Sequence, residues 1–203
     1  MRAFLILLIL LSYTSAVWSQ ITRADSAFIY DQIRSIQPSG TIYYADKPLK
    51  RTIIEGIQKL GKGIFYSPSD LFHEHTIKLT IGERNYIIAE LKKGLTLKFP
   101  DKLFENSIRL SSDSIGFKVD KMNILRNDSI KKSAEISHLW PKDFRELYKW
   151  SFFFTKPIYI RNQSVIFAYF MYYTLNGGEE GLWIYRKKED KWIRWIAISG
   201  GAY

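Results

Sequence analysis

The residue types best suited to chemistry are two histidines separated by a single residue, His73 and His75. Side chains two positions apart on a strand share a face, so these imidazoles could chelate a divalent metal ion. Glu74 would point to the opposite face, and His138 is the only other histidine available as a third ligand. The spacing also differs from the His-Glu-x-x-His pair of helical zinc proteases. A solvent-exposed loop beside the turn at 67–70 is the simpler interpretation, so we expect no metal ligands.

Adjacent carboxylates at Glu179 and Glu180 offer a second possible chemistry. Neighbouring strand residues face opposite ways, so the two groups cannot flank one bond as the carboxylates of glycosidases do. We therefore predict that both lie in a solvated, glycine-rich turn at 176–180. The chain contains no nucleophile elbow, dinucleotide fingerprint or phosphate loop, and it has no cysteine. Thiol catalysis and cysteine-bound metals are excluded, and we expect no catalytic residue and no cofactor.

Positive charge is the most pronounced bias of the chain, with 30 Lys and Arg against 20 Asp and Glu. Near the C-terminus, cations alternate with aromatic residues. The cations are Arg186, Lys187, Lys188, Lys191 and Arg194, and the aromatic residues are Trp183, Tyr185, Trp192 and Trp195. Such a hairpin could bind an anionic polymer by charge and stacking. Alternatively, the rings belong to the core and the lysines cover a solvated sheet edge, where they discourage edge pairing.

The N-terminus has the layout of a secretory signal peptide. One cation, Arg2, precedes a run of nine apolar residues and then a stretch of small and polar residues. The apolar run is shorter than the about 20 residues that a bilayer requires. Cleavage after Ser19 or after Ala16 fits the small-residue rule, and an uncleaved anchor is the alternative. We expect residues 1–19 to be the signal peptide, and a secreted or periplasmic chain without a transmembrane span after cleavage.

The size and composition indicate one folded domain over residues 20–203. The chain has 203 residues, of which 46% are hydrophobic, 16% aromatic and 25% charged. These values exclude intrinsic disorder, and a chain of this length can bury a core without disulfides. An exported protein would meet anionic cell-surface glycans before nucleic acid, so we disfavour nucleic acid as a partner.

Apolar spacings of three and four predict helices at 22–36, 49–60 and 83–93. Thr80 and Glu83 form a capping-box sequence before the third helix, and Gly94 is its expected stop. An irregular stretch at 100–114 should be anchored by residues such as Phe104 and Ile108. Polar residues 111–133 predict part strand and part loop, and 141–148 suits a short helix that starts at proline.

Four strand-like runs with short separators follow, at 152–159, 165–174, 181–187 and 191–198. The run from Val165 to Tyr173 lacks polar alternation, which is typical of a central strand covered on both faces. The sequence therefore predicts an α+β fold. In this fold, the N-terminal helices pack on one face of a C-terminal antiparallel sheet of four or more meander strands.

Several segments resemble a group of secreted proteins of flavobacteria and related Bacteroidetes that has no assigned activity. They are 80–93 (TIGERNYIIAELKK), 102–107 (KLFENS), 111–114 (SSDS), 153–162 (FFTKPIYIRN), 181–188 (GLWIYRKK) and 191–192 (KW). The resemblance covers about 80–203 and implies export and an α+β fold. Many members carry a cysteine pair where this chain has 174–178 (TLNGG), so no role of those cysteines transfers.

Two functions are compatible with these patterns. The leading hypothesis is a non-catalytic envelope or secreted module that binds a partner or an anionic surface, such as a cell-surface polymer or an envelope protein. The alternative is a hydrolase-like enzyme acting on envelope material, with a site at His73 and His75 or on the concave face of the sheet. An enzyme should show a pocket of converging polar groups with perturbed pKa values, whereas a binding module should show a flat basic or aromatic patch.

Overall fold

The structure is a computed structural model that describes residues 21–66, 76–112, 151–174 and 177–202. Three helices lie in these ranges: α1 Arg23–Ile36, α2 Lys50–Leu60 and α3 Ile81–Gly94. The strands there are β1 Ile42–Ala45, β2 Ile64–Tyr66, β3 Thr76–Lys78, β4 Ser107–Leu110, β5 Ser151–Phe154, β6 Ile158–Ile160, β7 Val165–Thr174, β8 Gly177–Lys188 and β9 Lys191–Ala202. The expected α+β class is confirmed. The signal peptide, the predicted helix at 141–148 and most of 111–133 lie outside the described residues.

Two of the helices begin at a capping box. The Thr80 side chain accepts the Glu83 backbone N–H at 3.1 Å, and the Glu83 carboxylate accepts the Thr80 N–H at 2.8 Å. Thr22 and Asp25 make the same reciprocal pair at the start of α1. Each box satisfies two of the backbone donors that a helix start leaves unpaired, so the predicted start of α3 is confirmed. None of the described helices is long and apolar enough to cross a membrane.

The main sheet is mixed rather than a simple antiparallel meander. Its order is β4-β1-β5-β7-β8-β9, and β6 also pairs with β7. β1 lies parallel to both β4 and β5, whereas β5 to β9 pair antiparallel. The predicted single strand at 152–159 is wrong, because it is divided into β5 and β6 where Pro157 lacks a backbone donor.

The stretch predicted as irregular at 100–114 contains β4, which the sequence does not reveal. β4 is only four residues long and largely solvent-facing, so it carries no apolar alternation. Ile108 in this strand is 46% exposed, so its predicted role as a core anchor is wrong. Phe104 is buried as expected. A short outer strand of this kind gains its pairing from β1 rather than from its own sequence pattern.

β7 separates two hydrophobic cores, which confirms its predicted central position. Alternate residues of this strand enter opposite cores, with Val165 and Phe167 on one side and Ile166 and Ala168 on the other. The first cluster is mainly aliphatic and includes residues of α2 and α3, and we call it the aliphatic core. The second has eight aromatic residues among its thirteen buried members, and we call it the aromatic core.

The prediction that the helices share one face of the sheet is wrong for α1. Phe28, Ile29 and Ile33 of α1 lie in the aromatic core with Phe152 and Phe154. α2 and α3 cover the opposite face, where their residues belong to the aliphatic core. Because β7 is apolar on both sides, each face needs a cover, and a one-sided arrangement would leave half of that strand in water.

Candidate functional site

Positive charge is concentrated at the end of the β8–β9 hairpin, residues 186–194, which we call the hairpin tip. Its turn consists of Glu189 and Asp190, both at positive φ (48° and 61°), as in a type I′ turn. Lys188 and Lys191 form the last rung of the ladder and are exposed. Among the described residues, no carboxylate lies within ion-pair distance of either ammonium. The tip carries five cations and two carboxylates, a net charge of +3.

Two properties of the tip oppose stable hairpin formation. Like charges directly opposite each other on a ladder, here Lys188 and Lys191, repel. Left-handed backbone costs a residue with a side chain about 1–2 kcal/mol, and neither turn residue is glycine. One contact offsets this, because Lys187 Nζ lies 2.9 Å from Asp190 Oδ1 and lowers the pKa of that exposed carboxyl. The arrangement therefore concentrates positive charge where hairpin stability alone would not place it.

Arginines of the hairpin stack on tryptophans of the same hairpin. The Arg186 guanidinium lies 5.1 Å from the ring centre of Trp195. Arg194 lies 4.8 Å from that of Trp183 and 5.8 Å from that of Phe170. Cation–π contacts of this kind fix the long side chains in place. Both guanidinium groups are half-buried, so they are held rather than freely mobile.

The aromatic residues predicted to interleave with the cations take two different positions. Tyr185 is completely buried and belongs to the aromatic core, so it cannot stack on a ligand. Trp183, Trp192 and Trp195 are half-buried and pack against the cores. Packing therefore accounts for most of the aromatic residues in this sequence pattern, and the lysines are its solvent-exposed part.

Arg194 also makes an ion pair that corrects the prediction for Glu179. Its Nη1 lies 2.6 Å from Glu179 Oε2, and the two side chains are 26% and 27% exposed. Glu179 lies within β8 rather than in a solvated turn, because β9 continues to Ala202 and pairs with it there. Glu180 follows in the same strand and so faces the other way, as the sequence predicted.

Tyr185 lies directly across the ladder from Arg194. Burial raises the pKa of Tyr185 to about 12, and the nearby Arg194 charge only partly offsets this. Burial disfavours the charged form of Arg194 and so acts to lower its pKa. The interactions with Tyr185 and Glu179 outweigh this effect, and the pKa of the guanidinium is raised. Neither shifted group titrates near neutral pH, so neither can shuttle protons there. This cluster is suited to holding charge in place rather than to general acid–base catalysis.

A glycine makes room for the ring beneath Arg194. A Cβ atom on Gly181 would lie 2.5 Å from Trp183 Nε1 and 2.7 Å from the Ser199 carbonyl oxygen. The indole therefore lies over the bare backbone of β8. The position needs glycine because of this close approach.

The histidines considered as metal ligands from the sequence, His73, His75 and His138, lie outside the described residues. Within the described ranges, no group of three potential ligands could hold a metal ion. The pairing of Glu179 with Arg194 was missed because the two are not ladder partners. Only the side-chain reach of arginine across the sheet brings them together.

Comparisons with known proteins add no further constraint on the site. No family model matches the sequence, and no curated protein or solved structure is significantly similar to it. The resemblance to secreted Bacteroidetes proteins therefore stays a prediction. Any assignment of function to this chain depends on the charge and geometry of the described residues.

Proposed function

We propose that this chain is an exported, non-catalytic module that binds an anionic cell-surface polysaccharide through the hairpin tip. The observation that carries the proposal is the facing pair Lys188 and Lys191, exposed at the last rung of the ladder. This pair and the left-handed turn both reduce hairpin stability. Binding of an anionic ligand to this concentrated charge would explain why the hairpin retains features that lower its stability.

The scaffold behind the tip supports this use. β8 and β9 are twelve residues each, the longest strands among the described residues, and they pair along most of their length. Within the tip, Arg186 is held on the ring of Trp195. Charges that are positioned before binding lose less conformational entropy when the ligand arrives. The four exposed or half-exposed cations at 186–191 can therefore act together on one polymer segment.

The geometry favours a polysaccharide over a single-stranded nucleic acid. Nucleic-acid binders combine a basic groove with aromatic rings that are free to stack on bases. Here Tyr185 is buried, and the rings of Trp183 and Trp195 are already covered by Arg194 and Arg186. Charge without open stacking platforms suits a sulfated or carboxylated glycan, whose recognition depends on salt-sensitive electrostatics.

The proposal is tested with dextran sulfate as the probe, titrated against the protein at increasing salt concentration. The test variant is the double substitution Lys188→Gln and Lys191→Gln. The matched control, Lys98→Gln with Lys102→Gln, removes the same charge from exposed residues elsewhere. We expect wild-type binding to weaken with salt and the hairpin variant to bind about tenfold more weakly. The control should stay within about twofold of wild type.

Two outcomes would overturn the proposal. Equal losses in the two double variants would mean that only the overall charge matters and that the hairpin tip is not a site. Tighter binding of poly(dT) than of dextran sulfate at the same salt would assign the surface to nucleic acid instead. Melting curves of each variant verify that the native fold is retained.

The alternative function, a hydrolase acting on envelope material, stays a prediction. Its first candidate site, His73 and His75, lies outside the described residues. Its second, the face of the sheet, holds the Glu179 carboxylate in an ion pair with Arg194 and a neutral Tyr185 beside them. We name no catalytic residue, because no described observation favours one.

A further inference from the structure

The cations of the hairpin tip divide between the two faces of the β8–β9 ladder. Successive residues of a strand point to opposite faces, so Lys187 lies on the face of Tyr185, which belongs to the aromatic core. Lys188 lies on the face of Ile184, which belongs to the aliphatic core. Ladder partners share a face, so the register places the cations of β9 as well. The aliphatic side of the tip carries Arg186, Lys188 and Lys191, and its aromatic side carries Lys187 and Arg194.

Both cations on the aromatic side already have a carboxylate of the same hairpin. Lys187 Nζ lies 2.9 Å from Asp190 Oδ1, and through this contact it lowers the pKa of the Asp190 carboxyl. Arg194 Nη1 lies 2.6 Å from Glu179 Oε2. An anionic ligand on this side would have to share each cation with a carboxylate, so its gain in binding energy would be smaller.

The three cations on the aliphatic side have no such partner within the described ranges. No described carboxylate lies within ion-pair distance of Arg186, Lys188 or Lys191, and the Arg186 guanidinium lies instead on the ring of Trp195. Positions two apart on a strand are separated by about 7 Å, and facing side chains begin about 5 Å apart. The three charges therefore form a compact group that one short polymer segment can reach.

We propose that an anionic polysaccharide lies on the aliphatic side of the hairpin tip, and that Asp190 and Glu179 act as internal counterions that disfavour the aromatic side. This inference rests on the proposed function and gives the cations at 186–191 unequal roles. Asp190 is then a specificity-determining residue, because its carboxylate competes with the ligand for Lys187. The Lys187 and Asp190 side chains are 48% and 96% exposed, so their pair contributes little to stability and can be removed without unfolding the protein.

Two adjacent lysines provide a matched test of the favoured side. Lys187→Gln and Lys188→Gln remove the same charge from exposed neighbours on opposite faces. With dextran sulfate as the probe in isothermal titration calorimetry, we expect Lys188→Gln to weaken binding about threefold. Lys187→Gln should weaken it by less than about 1.5-fold, because a carboxylate already shares that charge.

The role of Asp190 is tested by a double-mutant cycle with Lys187. Asp190→Asn removes the competing carboxylate, and asparagine tolerates the left-handed backbone at this position. In the Asp190→Asn background, Lys187→Gln should weaken binding about threefold. The matched control is Glu189→Gln at the other turn residue, which makes no ion pair with a described residue. In that background Lys187→Gln should keep its small effect.

Equal losses of affinity in Lys187→Gln and Lys188→Gln would overturn the one-sided surface while leaving the tip as the binding site. A Lys187→Gln effect that is the same in the wild-type and Asp190→Asn backgrounds would overturn the role of Asp190. The proposed function fails separately, if the double substitution of Lys188 and Lys191 binds as well as its Lys98 and Lys102 control, and this inference then falls with it. Melting curves verify that each variant retains the native fold.

Discussion

The two faces of the main sheet bury different types of side chain, mainly aliphatic on one face and mainly aromatic on the other. The aliphatic core is covered by α2 and α3, and branched side chains such as Ile53, Ile87 and Leu91 fill it. Among the described helices, α1 covers the aromatic core, which is filled by rings in edge and tilted contact; the ring centres of Phe99 and Phe154, for example, lie 4.6 Å apart. Large rings bury more area for each residue than branched aliphatic side chains do, so the two faces gain their stability from different contacts.

In the part of the chain that the structure describes, a long-range pair between a carboxylate and an arginine lies on each face. On the α3 side, Arg161 in the β6–β7 turn donates to Glu83 at 2.8 Å and to the Lys78 carbonyl at 2.7 Å. On the aromatic side, Arg194 lies on rings and binds Glu179. The Arg161–Glu83 pair connects the start of α3 to a turn, whereas the Arg194–Glu179 pair holds the guanidinium of Arg194 against the ring of Trp183. Similar ion pairs therefore serve as a connector between two elements on one face and hold a guanidinium against aromatic rings on the other.

The largest expected effect comes from replacing a ring by an aliphatic side chain on each face. Phe153 and Phe154 are neighbours, each 1% exposed, and they belong to the aliphatic and aromatic cores respectively. Phe154 contacts the rings of Tyr44, Phe99 and Phe104. Urea unfolding should show a loss of about 2–3 kcal/mol for Phe154→Leu and about 1 kcal/mol for Phe153→Leu. Equal losses of unfolding free energy in the two variants would show that ring contacts contribute no more to the aromatic core than to the aliphatic core.

A smaller effect is expected from the two adjacent glutamates of β8. Glu179→Gln should lower the free energy of unfolding by about 1–2 kcal/mol, because the charged partner of the half-buried Arg194 is lost. Glu180→Gln, on the opposite face, should stay within about 0.5 kcal/mol of wild type. Chemical denaturation of the two variants provides the comparison. A matching loss in both would show that the Glu179 pair adds nothing to stability.

The smallest effect concerns pH and the connector pair. A hydrogen bond from Arg161, opposed by partial burial, holds the pKa of Glu83 below its ordinary 4.5. Its contribution to stability is thus complete above that value and is lost as the pH falls through the folded pKa. Glu83→Gln should cost less than about 1 kcal/mol at pH 7, and the gap to wild type should shrink in acid. If the difference in unfolding free energy between wild type and Glu83→Gln were the same at pH 3 as at pH 7, it would not come from the ionised Glu83 carboxylate.

Much of the fold could be predicted from local patterns because those patterns are strong. The capping box at Thr80 and the unbroken apolar run of β7 specify their elements with little tertiary help. β1 and β4 could not be predicted, since each is only four residues long and gains its pairing from neighbours distant in sequence. The side of the sheet that α1 covers was predicted wrongly, because its apolar stripe fits either face of β7.

The site was predictable in its charge and not in its geometry. The run of cations around Lys188 and Lys191 is evident in the sequence, and the short separator predicts the turn between them. The pairing of Arg194 with Glu179 depends on a diagonal reach across the sheet that no spacing rule encodes.

Binding at the hairpin tip and binding by the basic surface in general would perturb different backbone amides. Amide chemical-shift mapping by NMR with a short sulfated oligosaccharide distinguishes the two. If the tip binds as we propose, the largest shifts fall within residues 186–194 and disappear in high salt. The largest shifts on α2, whose cations include Lys50 and Lys59, with an unperturbed tip, would contradict it.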